Sequence, residues 1–290
     1  MKKFYAAAII LLTGTAAFAQ PSVPSYMIFA GDTIRFDTQD KYERMDRELI
    51  SFTYAHTGSV LMLKRSDKFF GQIVPILKAN GVPEDLKYLM AIESNMNPMA
   101  QSPVGAAGLW QFTKSTAQMY GLEVNANVDE RYNTEKATAA ACDYLLKAYE
   151  KYGDWMTVAA SYNAGQAGIS RRLEDQKQTC AVDLWMPEET SRYIYRLLAV
   201  KMLFEKPALF GFIVHERYPY IPPKQCVTTD ASDIDLVEFA ETYGTTYAEL
   251  KRANLWLRGK TLDNKGKKSY TIIIPDEGQL QSRKSLEIRY

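Results

Sequence analysis

Three cysteines in 290 residues, Cys142, Cys180 and Cys226, are too few for a disulfide framework, and their spacings match no metal site. An odd count also leaves at least one of them unpaired within the chain. Histidine is scarcer still, and His56 and His215 lie far from every motif described below. No metal and no cofactor is therefore expected. Charge of one sign is missing too: Lys and Arg number 35 against 34 Asp and Glu, a formal net charge of +1. That balance gives no basic field for nucleic acid or an anionic membrane, and a neutral or zwitterionic ligand fits better.

Long apolar runs are also lacking, apart from residues 4–18. A membrane span needs about 20 apolar residues, and this run is shorter and interrupted by Thr13, Gly14 and Thr15. Lys2 and Lys3 precede it, and Ala17-Phe18-Ala19 closes it before Gln20. This is the pattern of a secretory signal peptide over residues 1–19. No cysteine stands near the cleavage site to carry a lipid. The mature chain is expected to be exported, periplasmic or extracellular, without a membrane span.

What is present is helix. Hydrophobic residues make up 47% of the chain and charged residues 24%, enough to build a core. From about residue 46 to 205 apolar positions recur at helical spacing, as in Phe69, Phe70, Ile73, Val74, Ile76 and Leu77. Gly81, Gly121 and Gly153 mark helix ends, Pro83 and Pro187 mark starts, and Thr134 and Asp154 are candidate caps. A helix is expected from about 109 to 120. No alternating β-branched run interrupts this stretch. Pro207, Pro219, Pro222 and Pro223 then break the chain, as in a linker or an extended wrap. A small α/β unit of about 50 residues follows: two helical stretches near 234–243 and 247–254, then a β-rich end at 269–275. The last residues, 277–290, read as a polar tail.

Glu93 stands out by position. It falls three, four and seven residues after Met90, Leu89 and Leu86, on the apolar stripe of its own helix. Burial there raises a carboxyl pKa and keeps the group protonated near neutrality, as a general acid requires. A structural carboxyl paired with a basic group fits the same position.

Outward from Glu93, the runs Ala91-Ile92-Glu93-Ser94-Asn95-Met96-Asn97-Pro98 and Ser102-Pro103-Val104-Gly105-Ala106-Ala107-Gly108-Leu109-Trp110-Gln111-Phe112 resemble the soluble lytic transglycosylase family. Ala159-Ala160-Ser161-Tyr162-Asn163-Ala164-Gly165 resembles its third motif and Met186-Pro187-Glu188-Glu189-Thr190-Ser191-Arg192-Tyr193 its fourth. Four motifs in order make the resemblance specific. It implies a goose-type lysozyme-like, all-α catalytic domain over residues 60–210, after an N-terminal extension over 20–59. It also implies Glu93 as the catalytic acid and base, with Ser102, Gln111, Tyr162, Asn163 and Tyr193 binding substrate. Tyr193 resembles the tyrosine whose hydroxyl reaches the acid. The implied reaction cleaves the β-1,4 bond between N-acetylmuramic acid and N-acetylglucosamine in peptidoglycan glycan strands without water, leaving a 1,6-anhydro end. Two other readings stay open: a hydrolytic muramidase, with a second carboxylate from Asp129, Glu130 or Glu189, and a catalytically silent peptidoglycan-binding protein.

The chain departs from the family's pattern after Gly165, where Gln166-Ala167-Gly168-Ile169 replaces the usual proline and glycine, and over residues 171–183. Beyond the proline-rich stretch (211–226), residues 227–276 resemble a lysin-motif (LysM) module, carried by Asp235 to Ala240, Tyr243-Gly244-Thr245-Thr246, Glu249 to Asn254 and Tyr270 to Pro275. Such modules bind chains containing N-acetylglucosamine, so a second glycan-binding site is expected there. The opening strand of the module is barely visible around residues 227–233.

Overall fold

The computed structural model describes residues 20–276; the expected signal peptide and polar tail lie outside them. The fold is mainly α, as expected. It begins with a hairpin the sequence did not announce, β1 (Tyr26–Phe29) paired antiparallel with β2 (Asp32–Arg35). Ala30 and Gly31 both have positive φ, 52° and 98°, as the two-residue turn of a twisted hairpin requires. Strands of four residues are too short for alternation to register.

The helices follow. α1 (Gln39–Tyr54) is capped by the Thr38 hydroxyl, and α2 (His56–Ala79) ends just before Gly81, whose φ is 73°. Residues Glu84–Leu86 form a 3-10 turn that leads into α3 (Lys87–Ser94). The helix expected from residue 109 starts later, as α4 (Lys114–Met119). Gln111 takes a left-handed backbone (φ 51°), and the Thr113 hydroxyl accepts from Thr116 N, so the helix cannot begin before 114. α5 (Thr134–Tyr152) is capped by Asn133 rather than Thr134, because the Asn133 side chain accepts from Lys136 N at 3.0 Å. Asp154 caps α6 (Trp155–Ala164) as expected. Gln166 opens α7 (Gln166–Gln176) directly after Gly165, so the departure from the family pattern is a helix start. α8 (Glu188–Glu205) is buried along most of its length and packs on α1, α3 and α6. One apolar cluster joins these helices and the hairpin.

The proline-rich stretch returns along α2. Tyr218 N donates to Lys64 O at 2.6 Å, Lys64 Nζ to Glu216 O at 3.0 Å, and Arg217 Nη1 to Ser66 Oγ at 2.9 Å. The last unit has β3 (Gln225–Thr229), β4 (Asp233–Asp235), α9 (Leu236–Thr242), α10 (Tyr247–Ala253), β5 (Thr261–Asp263) and β6 (Tyr270–Ile274). β3 pairs with β6 and β4 with β5, both antiparallel. Thr246 and Glu249 form a reciprocal capping box on α10. Buried Asn254 exchanges two side-chain bonds with the Ile273 backbone. A second apolar cluster, including Leu236, Leu250, Leu257, Leu262 and Ile272, fills this unit and also takes in Ala107, Val128 and Tyr132 from the helical part.

Gly108 marks a close backbone approach within the helical part: its φ is 78°, and an added Cβ would lie 1.9 Å from the Arg131 carbonyl oxygen. Gly105 has a similar φ, 79°, but faces open space. Gly105→Ala should therefore cost about 1–2 kcal/mol from the left-handed backbone alone. Gly108→Ala should cost more than about 3 kcal/mol, because two backbones must also separate. Denaturant unfolding of both variants checks this, and equal losses would mean that the Arg131 contact yields freely.

Candidate active site

The acid sits at the end of a helix that has nowhere to continue. Asn95 and Met96 both take left-handed backbone (φ 49° and 54°), which stops α3 one residue after Glu93 has been presented. Tyr88 through Ile92 are buried around it. Glu93 itself keeps a partial opening to solvent. Tyr193, from the first turns of α8, donates its hydroxyl to Glu93 Oε1 at 2.6 Å.

The electrostatics act in opposite senses. Burial pushes the Glu93 carboxyl up to about 7, and the hydrogen bond from Tyr193 opposes that rise by favouring the carboxylate. The Arg196 guanidinium, one turn beyond Tyr193 and 5.7 Å from the Phe52 ring centroid, also favours the charged form. The negative charge of Glu189, exposed on the same helix, works against it. Near neutrality the group is thus poised between acid and base. Burial and the nearby Glu93 charge hold the Tyr193 phenol well above its ordinary range, so it remains a donor throughout.

Tyr162, in the last turn of α6, belongs to the same cluster. Its hydroxyl donates to Trp110 O at 2.7 Å, and its ring meets Tyr144 at 5.0 Å and Phe112 at 6.1 Å. Burial and the Glu93 charge raise its pKa as well, which places it beside the acid. Trp110 is fully buried, with its indole N–H on Thr138 Oγ1. Asn163 is half-buried next to Tyr162; among the described residues no hydrogen bond joins it to Glu93.

Ser102 and Gln111 lie on the loop of residues 100–112, and their side-chain hydrogen bonds are to that loop. Ser102 Oγ accepts from Ala106 N at 3.0 Å, and its backbone exchanges bonds with Gly105 and Ala106. Gln111 Nε2 donates to Ala100 O and Gly108 O at 3.1 and 2.8 Å. Both side chains hold the loop in shape, and Tyr162 ties that loop to the acid through Trp110. Two of the three candidate second carboxylates are spent elsewhere: Asp129 faces Arg131 at 2.7 Å, and Glu130 pairs with Lys136. Sequence reasoning missed Arg131 and Arg196. Arg196 acts on Glu93 from another helix, and Arg131, although bonded to nearby Asp129, acts on Gly105 and Phe112, 26 and 19 positions back. A cavity of about 580 Å³ lined by Glu123, Glu130, Lys136, Lys268 and Tyr270 includes none of the six expected site residues.

Residues 74–182 match the family model of the transglycosylase SLT domain, and residues 225–278 that of the soluble lytic transglycosylase C-terminal LysM-like domain. This chain carries an SLT domain followed by a LysM-like domain. Glu93, Ser102, Gln111, Tyr162 and Asn163 fall inside the SLT match, and Tyr193 falls after it. The chain is 25% identical over 268 residues to membrane-bound lytic murein transglycosylase D of Escherichia coli strain K12, covering 89% of this chain and 57% of that protein. It thus spans little more than half the length of that relative. It is 42% identical over 126 residues to the peptidoglycan transglycosylase gp16 of Escherichia phage T7, covering 42% of this chain and 9% of that one. Among solved structures, the 70 kDa soluble lytic transglycosylase of Escherichia coli matches with a TM-score of 0.40 at 17% identity, over 60% of this chain and 33% of that one. No described helix of the SLT or LysM-like domain is long and apolar enough to cross a membrane.

A carboxyl whose pKa is raised on folding binds its proton more tightly in the folded state. The stability this gives is complete below about pH 4.5, where the unfolded group is also protonated, and is lost as pH rises through 7. Glu93→Gln is neutral at every pH and escapes that loss. It should match the parent in stability at pH 4 and exceed it above pH 7 by an amount on the order of 3 kcal/mol, at about 1.4 kcal/mol per unit. Thermal unfolding at pH 4 and pH 8 checks this. Equal differences at the two values would mean that Glu93 titrates as an ordinary carboxyl.

Proposed function

We propose that this chain is an exported peptidoglycan lytic transglycosylase, cutting the β-1,4 bond between N-acetylmuramic acid and N-acetylglucosamine with Glu93 as its acid and base. The observation that carries the reading is one carboxyl, held near pH 7 and hydrogen-bonded by Tyr193, inside an SLT domain. The printed names of the relatives, murein and peptidoglycan transglycosylases, support the same substrate class.

Protonated Glu93 gives its proton to the bridging oxygen, and the bond to muramoyl C1 breaks. The substrate's acetamido group stabilises the cationic sugar. Glu93, now a carboxylate favoured by Tyr193 and Arg196, takes the proton from the muramoyl C6 hydroxyl as that oxygen attacks C1. The product is a 1,6-anhydro end, and no water is consumed. An intramolecular nucleophile has a large advantage over bulk water, which explains why one carboxyl suffices. A hydrolase of the usual kind needs a second carboxylate to activate water. Asp129 and Glu130 are held in ion pairs, and Glu189 is exposed. Ser102, Gln111, Tyr162 and Asn163 then line the path of the glycan strand, and the LysM-like domain is a further candidate glycan contact.

Mass spectrometry of digested peptidoglycan tests the reading. Products lighter by one water than reducing-end fragments are expected from the parent protein. Glu93→Gln should lose at least about 10²–10⁴-fold in cleavage, since both proton transfers use this group. Hydrated ends would assign a muramidase, and no products a binding protein.

A further inference from the structure

The LysM-like domain does not hang from the SLT domain; it grips one short segment of it. Val128 bridges Leu257 in antiparallel fashion, Asp129 N donates to Trp256 O at 2.9 Å, and Arg258 N donates to Asn127 O at 2.8 Å. Side chains reinforce this ladder. Lys268 Nζ and Tyr270 OH both donate to Glu123 Oε2 at 3.0 Å. Arg258 lies 4.5 Å from the Tyr132 ring centroid. Val128 and Tyr132 are buried in the same apolar cluster as Trp256 and Leu257.

The other side of that segment faces the loop of residues 100–112. Arg131 makes the connection. Its Nε and Nη2 hold the two Asp129 carboxylate oxygens at 2.9 and 2.7 Å, and its Nη1 donates to Gly105 O at 2.7 Å and Phe112 O at 3.1 Å. Its own carbonyl rests on Gly108. The Arg131 and Asp129 side chains are each only 9% exposed, so water is a poor substitute partner for either charge. One guanidinium therefore ties the middle of the loop that carries Ser102 and Gln111, at Gly105, to its C-terminal end at Phe112. The carboxylate that orients it sits on the strand paired with the LysM-like domain. The loop needs such a clamp, because Gln111 stands in a strained left-handed backbone and Gly105 and Gly108 leave the chain between them flexible.

We propose that the LysM-like domain acts as a brace for the active-site loop, with Arg131 as the positioning residue that transmits it, so that the domain contributes to turnover and not only to attachment. This rests on the transglycosylase reading for its kinetic consequence. A domain that served only as a tether would need no backbone ladder to the SLT domain, and its effect would be confined to polymeric substrate.

Two full-length variants test the brace, one at each face of the segment. Glu123→Ala removes the anchor for Lys268 and Tyr270; Arg131→Lys keeps the charge and loses the planar fork. In both, the amides of Ser102, Gly105, Ala107 and Gly108 should exchange hydrogen at least about tenfold faster, while those of α5 and α8 keep their protection. On soluble glycan fragments kcat should fall about 10–100-fold from misplacement of the loop, with the pH midpoint unchanged because Glu93 and Tyr193 are untouched. Glu123→Gln retains an acceptor for Tyr270 and should recover most of both readouts. Unchanged loop exchange with unchanged kcat on soluble fragments would overturn the proposal, as would a loss confined to intact sacculi. Faster loop exchange in variants of a parent that makes no cleavage products would leave the brace standing and reject the transglycosylase reading instead.

Discussion

The 2.6 Å hydrogen bond from Tyr193 to Glu93 holds together two requirements that conflict. A general acid must be buried to keep its proton near neutrality, and a general base must be able to exist as a carboxylate in the same place. Burial supplies the first; a donor aimed at one oxygen, with the Arg196 cation nearby, supplies the second. The geometry follows from this. α3 must end at the acid, α8 must run past it with a tyrosine facing inward, and the apolar residues of both helices must close the site. The left-handed pair Asn95 and Met96 and the almost continuous burial of α8 meet those demands.

A second demand falls on the loop of residues 100–112. It approaches the acid through the Tyr162 bond to Trp110 O, yet much of its own hydrogen bonding is internal and its backbone is strained at Gln111. Ser102 and Gln111 use polar groups to keep it folded, and Arg131 reaches in from outside to hold Gly105 and Phe112 together. On the proposed reading, substrate recognition and loop integrity draw on the same side chains. Such sharing makes the loop sensitive to what packs behind it, which is the segment of residues 127–132 that the LysM-like domain grips.

The helices and their boundaries were legible because capping groups and stop glycines act within a few residues. Asp154, Gly81, Gly153 and the Pro187 start all act where the sequence placed them. Local signals failed where a neighbour in sequence competed. Asn133 outcompeted Thr134 as a cap, and the left-handed Gln111 delayed a helix that the apolar pattern began at Leu109. The Glu93–Tyr193 contact was legible only through the motif resemblance, since no spacing rule joins residues 100 positions apart. The Asp129–Arg131 clamp had no signal at all. Asp129 looked like a spare carboxylate until its partner was seen. The hairpin β1–β2 and the opening strand β3 were too short for period-two alternation to rise above chance.

The central claim is that Glu93 holds its proton near neutrality against the pull of Tyr193. Carbon NMR of protein labelled at the glutamate side-chain carboxyl follows that proton directly. One resonance should titrate with a midpoint of about 7, vanish in Glu93→Gln, and move to higher pH in Tyr193→Phe, where the bond favouring the carboxylate is gone. A Glu93 resonance that titrates near 4.5, or one that Tyr193→Phe moves to lower pH, would contradict it.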